Sequence, residues 1–263
     1  MGVITFGGIA SDTIKIVVEE PPEYHFPARD YEAVHIPGRN GDLVLDSGSY
    51  QNVPREYKIA IVDKQGDANE VNPLTDFMDI IPPVSTWLHS GSGYQRLEDS
   101  YDKNVYRLAY YKDDGSIENI LGKAGRCTIS FDCKPQRFLK SGETPITFTS
   151  LSSMAITAGV WYSGKALPLI TITGSGSLRL VENIAGVGKV SDMTITNIDG
   201  SVTIDSDTQN VYKGSISMNP YVSFADNTGF PYLASGYNTN TFVLTTQTGS
   251  FSKVEVIPRW WTL

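Results

Sequence analysis

The chain has 263 residues, enough for one large domain or two ordinary ones with a sizeable core. Hydrophobic residues make up 40% and charged residues 19%, a globular composition rather than a disordered one. The net charge of -8 argues against a nucleic-acid-binding surface, which needs clustered Lys and Arg. No apolar run approaches the ~20 residues needed to cross a bilayer, so no membrane segment is expected. The first ten residues carry no basic charge, so no secretory leader is expected. Phe6 stands where a myristoylation signal needs Ser or Thr. The product is therefore expected to be made and folded in the cytoplasm.

Residues 14–37 read as two extended runs. Glu19-Glu20-Pro21-Pro22-Glu23 interrupts the first, and Pro27, Arg29 and Asp30 precede a second that ends at Pro37. Prolines belong at sheet edges, so residues 19–37 are predicted to form a hairpin arm projecting from its domain. In Gly38-Arg39-Asn40-Gly41 the two glycines suit positive φ, which places Arg39 at the tip of a turn. Tyr57, Ile59 and Ile61 alternate with polar neighbours, as a half-buried strand does. Asp63, Asp67, Asn69 and Glu70 make an acidic loop without the spacing of a calcium-binding loop, and it reads as a solvated turn.

One helix is predicted. Asn72 caps it, Pro73 takes its first position, and Pro82-Pro83 ends it. Leu74, Phe77, Met78 and Ile81 form one apolar stripe, which must pack on a sheet because so short a helix cannot stand alone. Gly91-Ser92-Gly93 and Asp113-Asp114-Gly115 read as turns. Cys127 and Cys133 fall on one strand face, roughly 20 Å apart at ~3.3 Å per residue. That exceeds the ~7 Å limit for a disulfide, so both are expected to be buried thiols in a reducing compartment.

Near Ser141-Gly142 the composition shifts to Ser, Thr and Gly with short regular strands, as in a β-sandwich. The fold class is mainly β, with a domain at 1–140 and a second at 141–263. Leu178 and Leu180, Met193 and Ile195, Val202 and Ile204, Phe242 and Leu244, and Val254 and Val256 are its candidate core. Gly174-Ser175-Gly176-Ser177 and Asp199-Gly200 read as turns. The chain closes on Pro258-Arg259-Trp260-Trp261-Thr262-Leu263. Trp260 and Trp261 must be buried to avoid a sticky end, and Arg259 is expected to stack on the Trp260 ring. Residues 253–263 either finish the sandwich or return to the first domain.

Catalytic chemistry finds little support. His25, His35 and His89 lack metal-ligand spacing and read as core or surface histidines, so no metal or cofactor is expected. The Gly-Ser-Gly stretches match neither a nucleophile elbow nor a phosphate loop. Asp205 and Asp207 form a carboxylate pair of a kind that any sandwich carries. No enzyme is expected.

Three segments carry a resemblance: Ile36-Pro37-Gly38-Arg39-Asn40-Gly41-Asp42-Leu43, then Ser130-Phe131-Asp132-Cys133-Lys134-Pro135-Gln136-Arg137-Phe138-Leu139-Lys140-Ser141-Gly142, and the closing Trp-Trp segment. Trp87-Leu88 with Gly93-Tyr94-Gln95-Arg96-Leu97 and Asp99 adds to it, as do Leu167-Pro168-Leu169-Ile170-Thr171-Ile172-Thr173-Gly174-Ser175-Gly176 and Ile204-Asp205-Ser206-Asp207. In this order they resemble the distal tail protein (Dit) family of long-tailed bacteriophages. The resemblance implies a virion component whose N-terminal domain forms a homo-hexameric ring through a belt-like arm, followed by a galectin-like sandwich. It also implies partners: the tail-tube protein on one side, and a tail-associated lysin or tail-tip protein on the other. Receptor-binding or baseplate proteins would dock around the ring, and DNA would pass its lumen without specific binding. Candidate subunit-interface residues are Arg29, Asp30, Arg39 and Asn40; Arg259, Trp260 and Trp261 are the candidate packing cluster. A carbohydrate-binding lectin-like protein is the alternative, and an envelope-degrading hydrolase a third reading.

Overall fold

The computed structural model describes residues 2–62, 77–112, 118–120, 124–157, 164–225, 227–234, 236 and 238–263. The acidic loop at 63–70, the turn at 113–115 and the start of the helix at 72–76 lie outside the described residues. The chain is mainly β, as its alternation requires, and divides into two compact units: residues 1–137 with Leu263, and Phe138–Thr262.

The first unit contains strands β1 (Ile4–Phe6), β2 (Ile9–Ala10), β3 (Ile16–Val18), β4 (Arg29–His35), β5 (Asp42–Tyr50) and β6 (Val53–Val62). Helix α1 (Phe77–Leu88) follows, then β7 (Gln95–Asp99), β8 (Val105–Tyr111), β9 (Glu118–Ile120) and β10 (Ala124–Cys133). One sheet runs in the order β2-β1-β7-β8-β10-β6-β3. It then closes on itself: Gly2 and Val18 exchange both backbone hydrogen bonds at 3.1 Å, bringing the chain just before β1 against β3. The result is a small barrel whose interior holds Ile4, Phe6, Val18, Tyr57, Ile59, Ile61, Ile129 and Phe131.

Helix α1 does not end at Pro82-Pro83. It runs through both prolines to Leu88. Each proline removes an internal hydrogen bond, but both lie on the exposed side, while Val84, Trp87 and Leu88 are buried. Trp87 fixes the helix: its ring meets Phe6 edge-on at 6.3 Å, and its Nε1 donates to the carbonyls of Phe6 and Ile9 at 3.2 Å. Burial of an aromatic with its one donor satisfied outweighs the loss of two helical hydrogen bonds. Cys127 and Cys133 both lie on β10 and are free. Burial pushes the Cys133 thiol up to about 12 and the Cys127 thiol up to about 11.

The chain then passes through β11 (Arg137–Leu139) into the second unit, with β12 (Ile146–Phe148), β13 (Met154–Thr157), β14 (Lys165–Ala166), β15 (Leu169–Ile184), β16 (Gly188–Ile198) and β17 (Ser201–Asp205). Next come β18 (Asn210–Lys213), β19 (Ile216–Ser217), β20 (Val222–Phe224), β21 (Leu233–Ala234), β22 (Thr239–Ile257) and β23 (Trp261–Thr262). The two longest strands, β15 and β22, pair from Leu169↔Ile257 to Ile184↔Asn240. Along its first part β15 also pairs with β17, and along its second part with β16, so one strand serves two groups of partners. Every residue expected for this core is buried there, from Leu178 to Val256.

Gly174-Ser175-Gly176-Ser177 is not a turn. It lies inside β15, where register shifts interrupt the ladder with β22. A Cβ on Gly174 would come within 2.4 Å of the Ser250 carbonyl, on Gly176 within 2.1 Å of the Thr248 carbonyl, and on Gly249 within 2.0 Å of the Ser175 carbonyl. All three glycines have positive φ. Gly176→Ala is therefore expected to destabilise the protein by about 2–3 kcal/mol, read as a lower midpoint in urea unfolding.

Glu182 on β15 is fully buried. One carboxyl oxygen accepts the Tyr232 amide at 3.1 Å, and the other has no partner. Burial pushes this carboxyl from its ordinary 4.5 up to about 8. Unfolded, the group releases its proton above about pH 4.5; folded, it holds the proton to about pH 8, so stability falls as pH rises between those values. Glu182→Gln keeps an acceptor for Tyr232 and removes the titration. Its melting temperature is expected to exceed the parent's by a margin that widens from pH 5 to pH 8.

Candidate interface: the hairpin arm and the packed terminus

Strands β4 and β5 form their own two-stranded sheet, joined by the turn at residues 36–41. Pro37 and Gly38 are its central residues, the Arg39 amide donates to the Ile36 carbonyl at 3.1 Å, and Gly38 has φ +81°. That is a type II turn, with proline presetting the first angle and glycine allowing the second. Arg39 and Asn40 sit exposed at the tip, before Gly41 at φ +77°. The arm therefore spans residues 29–50, later than the 19–37 its prolines suggested. Pro21-Pro22 does interrupt the chain after β3, but residues 19–28 contain no strand, and the partner of the first run is β5.

The register sorts the side chains into two faces. Tyr31, Ala33 and His35 lie opposite Asp46, Val44 and Asp42; Glu32 and Val34 lie opposite Leu45 and Leu43. The first face is clamped by polar contacts. Arg29 reaches Asp46 through Nε at 2.9 Å and Nη2 at 2.6 Å, and Tyr50 through Nη1 at 3.0 Å. The hydrogen bond from Arg29 is the main cause that holds Asp46 below the usual carboxylate range. Asp30 is tied across the strands: its carbonyl accepts from Ser47 Oγ at 2.6 Å and its carboxylate from Ser49 Oγ at 3.1 Å. The second face carries Val34, Leu43 and Leu45, all exposed, with Glu32 among them. Among the described residues the outer edges of both strands are unpaired, and so isolated a hairpin is marginal in water.

Arg29 and Asp30 thus act within the arm, bracing it, while Arg39 and Asn40 are presented outward. Residues 19–28 form a strap at the arm's root. Arg55 Nη1 donates to the Glu23 carbonyl at 3.0 Å, the Arg137 guanidinium lies 5.2 Å from the Tyr24 ring centre, and Phe26 is 85% exposed. Sequence patterning gave no sign of this strap, whose contacts run from a buried strand arginine to a backbone carbonyl.

Residues up to Thr262 belong to the second unit, and Trp260 is buried in its core. Arg259 does not stack on Trp260. Its backbone takes φ +56°, its amide donates to the Gly142 carbonyl at 2.9 Å, and Nη1 donates to Asp205 Oδ1 at 2.7 Å. Burial works to raise the Asp205 pKa, and the Arg259 fork outweighs it, so the net shift is downward. Gly142 is needed at this crossing, because a Cβ there would lie 2.4 Å from the Trp260 nitrogen. Trp261 donates from Nε1 to the Lys165 carbonyl at 3.0 Å and covers Gly164. Asp205 is therefore held by Arg259, and its Oδ1 also accepts the Asp207 amide at 3.1 Å. Asp205→Ala is expected to cost about 1–2 kcal/mol in chemical unfolding, because it leaves Arg259 without its main anchor.

His35 pairs with Asp42 on the arm, and His89 Nδ1 lies 2.8 Å from the Ser85 carbonyl. Among the described residues no group of His, Cys, Asp and Glu is placed to hold a metal ion, and no helix is long and apolar enough to cross a membrane.

This fold is that of a phage distal tail protein. Over 100% of its length the chain is similar to the crystal structure of SPP1 Dit (gp 19.1), with 98% of that chain covered, a TM-score of 0.71 and 12% sequence identity. SPP1 Dit is described as a paradigm of the hub adsorption apparatus in phages that infect Gram-positive bacteria. No protein-family profile and no curated protein matches the chain by sequence.

Proposed function

We propose that this protein is a structural hub of a long-tailed phage tail or phage-tail-like particle. The full-length likeness to SPP1 Dit, spanning both units, carries this reading. In it, six copies close into a ring that joins the tail tube to the tail tip. A tail-associated lysin or tail-tip protein sits on the far side, and receptor-binding or baseplate proteins dock around the rim. The second unit is a galectin-like sandwich in this arrangement, and the particle is the virion's distal tail. No catalytic step is assigned.

The physical support lies in the arm. A ring requires a head-to-tail interface in which two different surfaces of one subunit meet. Two unpaired strand edges, an exposed apolar face at Val34, Leu43 and Leu45, and an outward Arg39 are what such a donor surface needs. Adding these strands to a neighbour would pair their free backbone groups and cover the apolar face. The net charge of -8 suits a conduit that DNA crosses without sticking, since a negative wall keeps phosphates away.

Light scattering and negative-stain imaging of concentrated protein test the reading. Six-fold rings with a central hole are the expected result; isolated particles without one would overturn it. Arg39→Ala, at an exposed turn tip, is expected to leave the melting temperature unchanged and to lower the hexamer fraction at a given concentration. An unchanged hexamer would remove Arg39 from the interface.

A further inference from the structure

The tip of the arm holds the one Asn-Gly pair in the sequence, Asn40-Gly41. Each of the other asparagines is followed by Val, Ile, Thr, Glu or Pro. That difference matters chemically. An asparagine side-chain amide lies within reach of the next residue's backbone nitrogen, which can close a five-membered ring on its Cγ. A β-branched neighbour crowds that approach, and proline has no N–H to lose. Glycine leaves the approach open and lets the backbone turn to make it.

The structure leaves both partners of this reaction unrestrained. Asn40 and Gly41 are exposed and lie outside β4 and β5. Among the described residues the Gly41 amide donates no hydrogen bond, and the Asn40 side chain makes none. A Cβ on Gly41 would meet nothing within 4 Å, so no neighbour crowds the loop there. The brace of Arg29, Asp46 and Tyr50 sits at the other end of the hairpin. Beyond the last ladder pair, His35↔Asp42, the loop has a single internal backbone hydrogen bond among the described residues, from the Arg39 amide to the Ile36 carbonyl. Asp199-Gly200 in the second unit shows the opposite case. Its glycine amide donates to Ser175 Oγ at 2.9 Å, and the Asp199 carboxylate accepts from Lys213 Nζ at 2.9 Å.

We propose that Asn40 is a site of spontaneous deamidation in the free subunit, and that the change weakens docking of the arm's tip. The Gly41 nitrogen loses its proton to hydroxide and attacks Asn40 Cγ. A bond forms between them, the Cγ–Nδ2 bond breaks, and Nδ2 departs as ammonia. Water then opens the resulting succinimide at either carbonyl. Cleavage of the new N–Cγ bond gives aspartate at this position. Cleavage of the original peptide bond gives isoaspartate, with one methylene added to the main chain. One water is consumed and one ammonia released, with no oxidant or cofactor. Either product sets a carboxylate beside Arg39 and cancels the positive charge that this side chain presents. The effect on docking rests on the ring reading above; the chemistry does not.

The test follows the full-length protein, dilute and in mildly alkaline buffer, by peptide mapping with mass spectrometry. The same chain unfolded in urea supplies the unrestrained rate. Native Asn40 is expected to convert within about tenfold of that rate, a barrier difference below ~1.4 kcal/mol. The product peptide should separate into two isomers, the signature of a succinimide, and conversion should quicken as hydroxide rises. Gly41→Ala, which keeps the amide but crowds its approach, should slow conversion by about tenfold. A native Asn40 that stays an amide while the unfolded chain converts overturns the site. Gly41→Ala converting as fast as the parent overturns the mechanism.

Association is read on two further variants. Asn40→Asp is expected to need about threefold more protein for half-assembly than Asn40→Gln, the size of one exposed charge contact. If the two assemble alike, the effect on docking is overturned. If the parent does not self-associate, the ring reading fails and the mass measurement alone decides the site.

Discussion

A sheet that closes on itself offers no edge to a neighbour, and the backbone pair between Gly2 and Val18 makes the first unit such a sheet. Everything outward-looking in this unit follows from that closure. The barrel's interior is filled by Phe6, Tyr57, Phe131 and the docked Trp87. What remains open is the arm, whose two strands pair with each other. Its register sets a face braced by Arg29 and Asp46, which also exposes Tyr31 and Val44, against one that exposes Val34, Leu43 and Leu45. Arg29, Asp46 and Tyr50 hold the shape of the hairpin.

The second unit solves a different problem. Two strands of 16 and 19 residues pair along their length, and their register shifts where three glycines let the backbones nearly touch. Closure at the chain's end depends on backbone geometry again. Gly142 leaves room for the Trp260 nitrogen, and Arg259 takes a left-handed conformation that directs its fork onto Asp205. Trp260 is thus buried inside one unit, and Trp261 packs partly buried against the same core.

Much of this was legible in the residues. Period-two alternation located the barrel and sandwich strands, because a strand with one buried face must alternate. Glycines at 38 and 41 announced the arm's turn, because left-handed backbone favours them. Other features escaped for identifiable reasons. Pro82-Pro83 reads locally as a stop, yet the burial of Val84, Trp87 and Leu88 carries the helix onward, a tertiary effect that no local pattern reports. Gly174-Ser175-Gly176 looks like a loop because close strand crossing and tight turns select the same residue. The arm was placed too early, since prolines mark a break in pairing without saying which strand the broken run will pair with. Glu182 was invisible, because in a string of letters a charged residue on a strand reads as solvent-facing.

The arrangement of β15 and β22 has a mechanical consequence. Their hydrogen bonds lie across the strand direction and extend over almost the whole length of β15. Traction applied lengthwise to either strand would strain many of these bonds together, whereas peeling from one end would break them one by one. A unit stitched in this way is stiff toward tension along its long axis and yields most readily when its ends are pried apart.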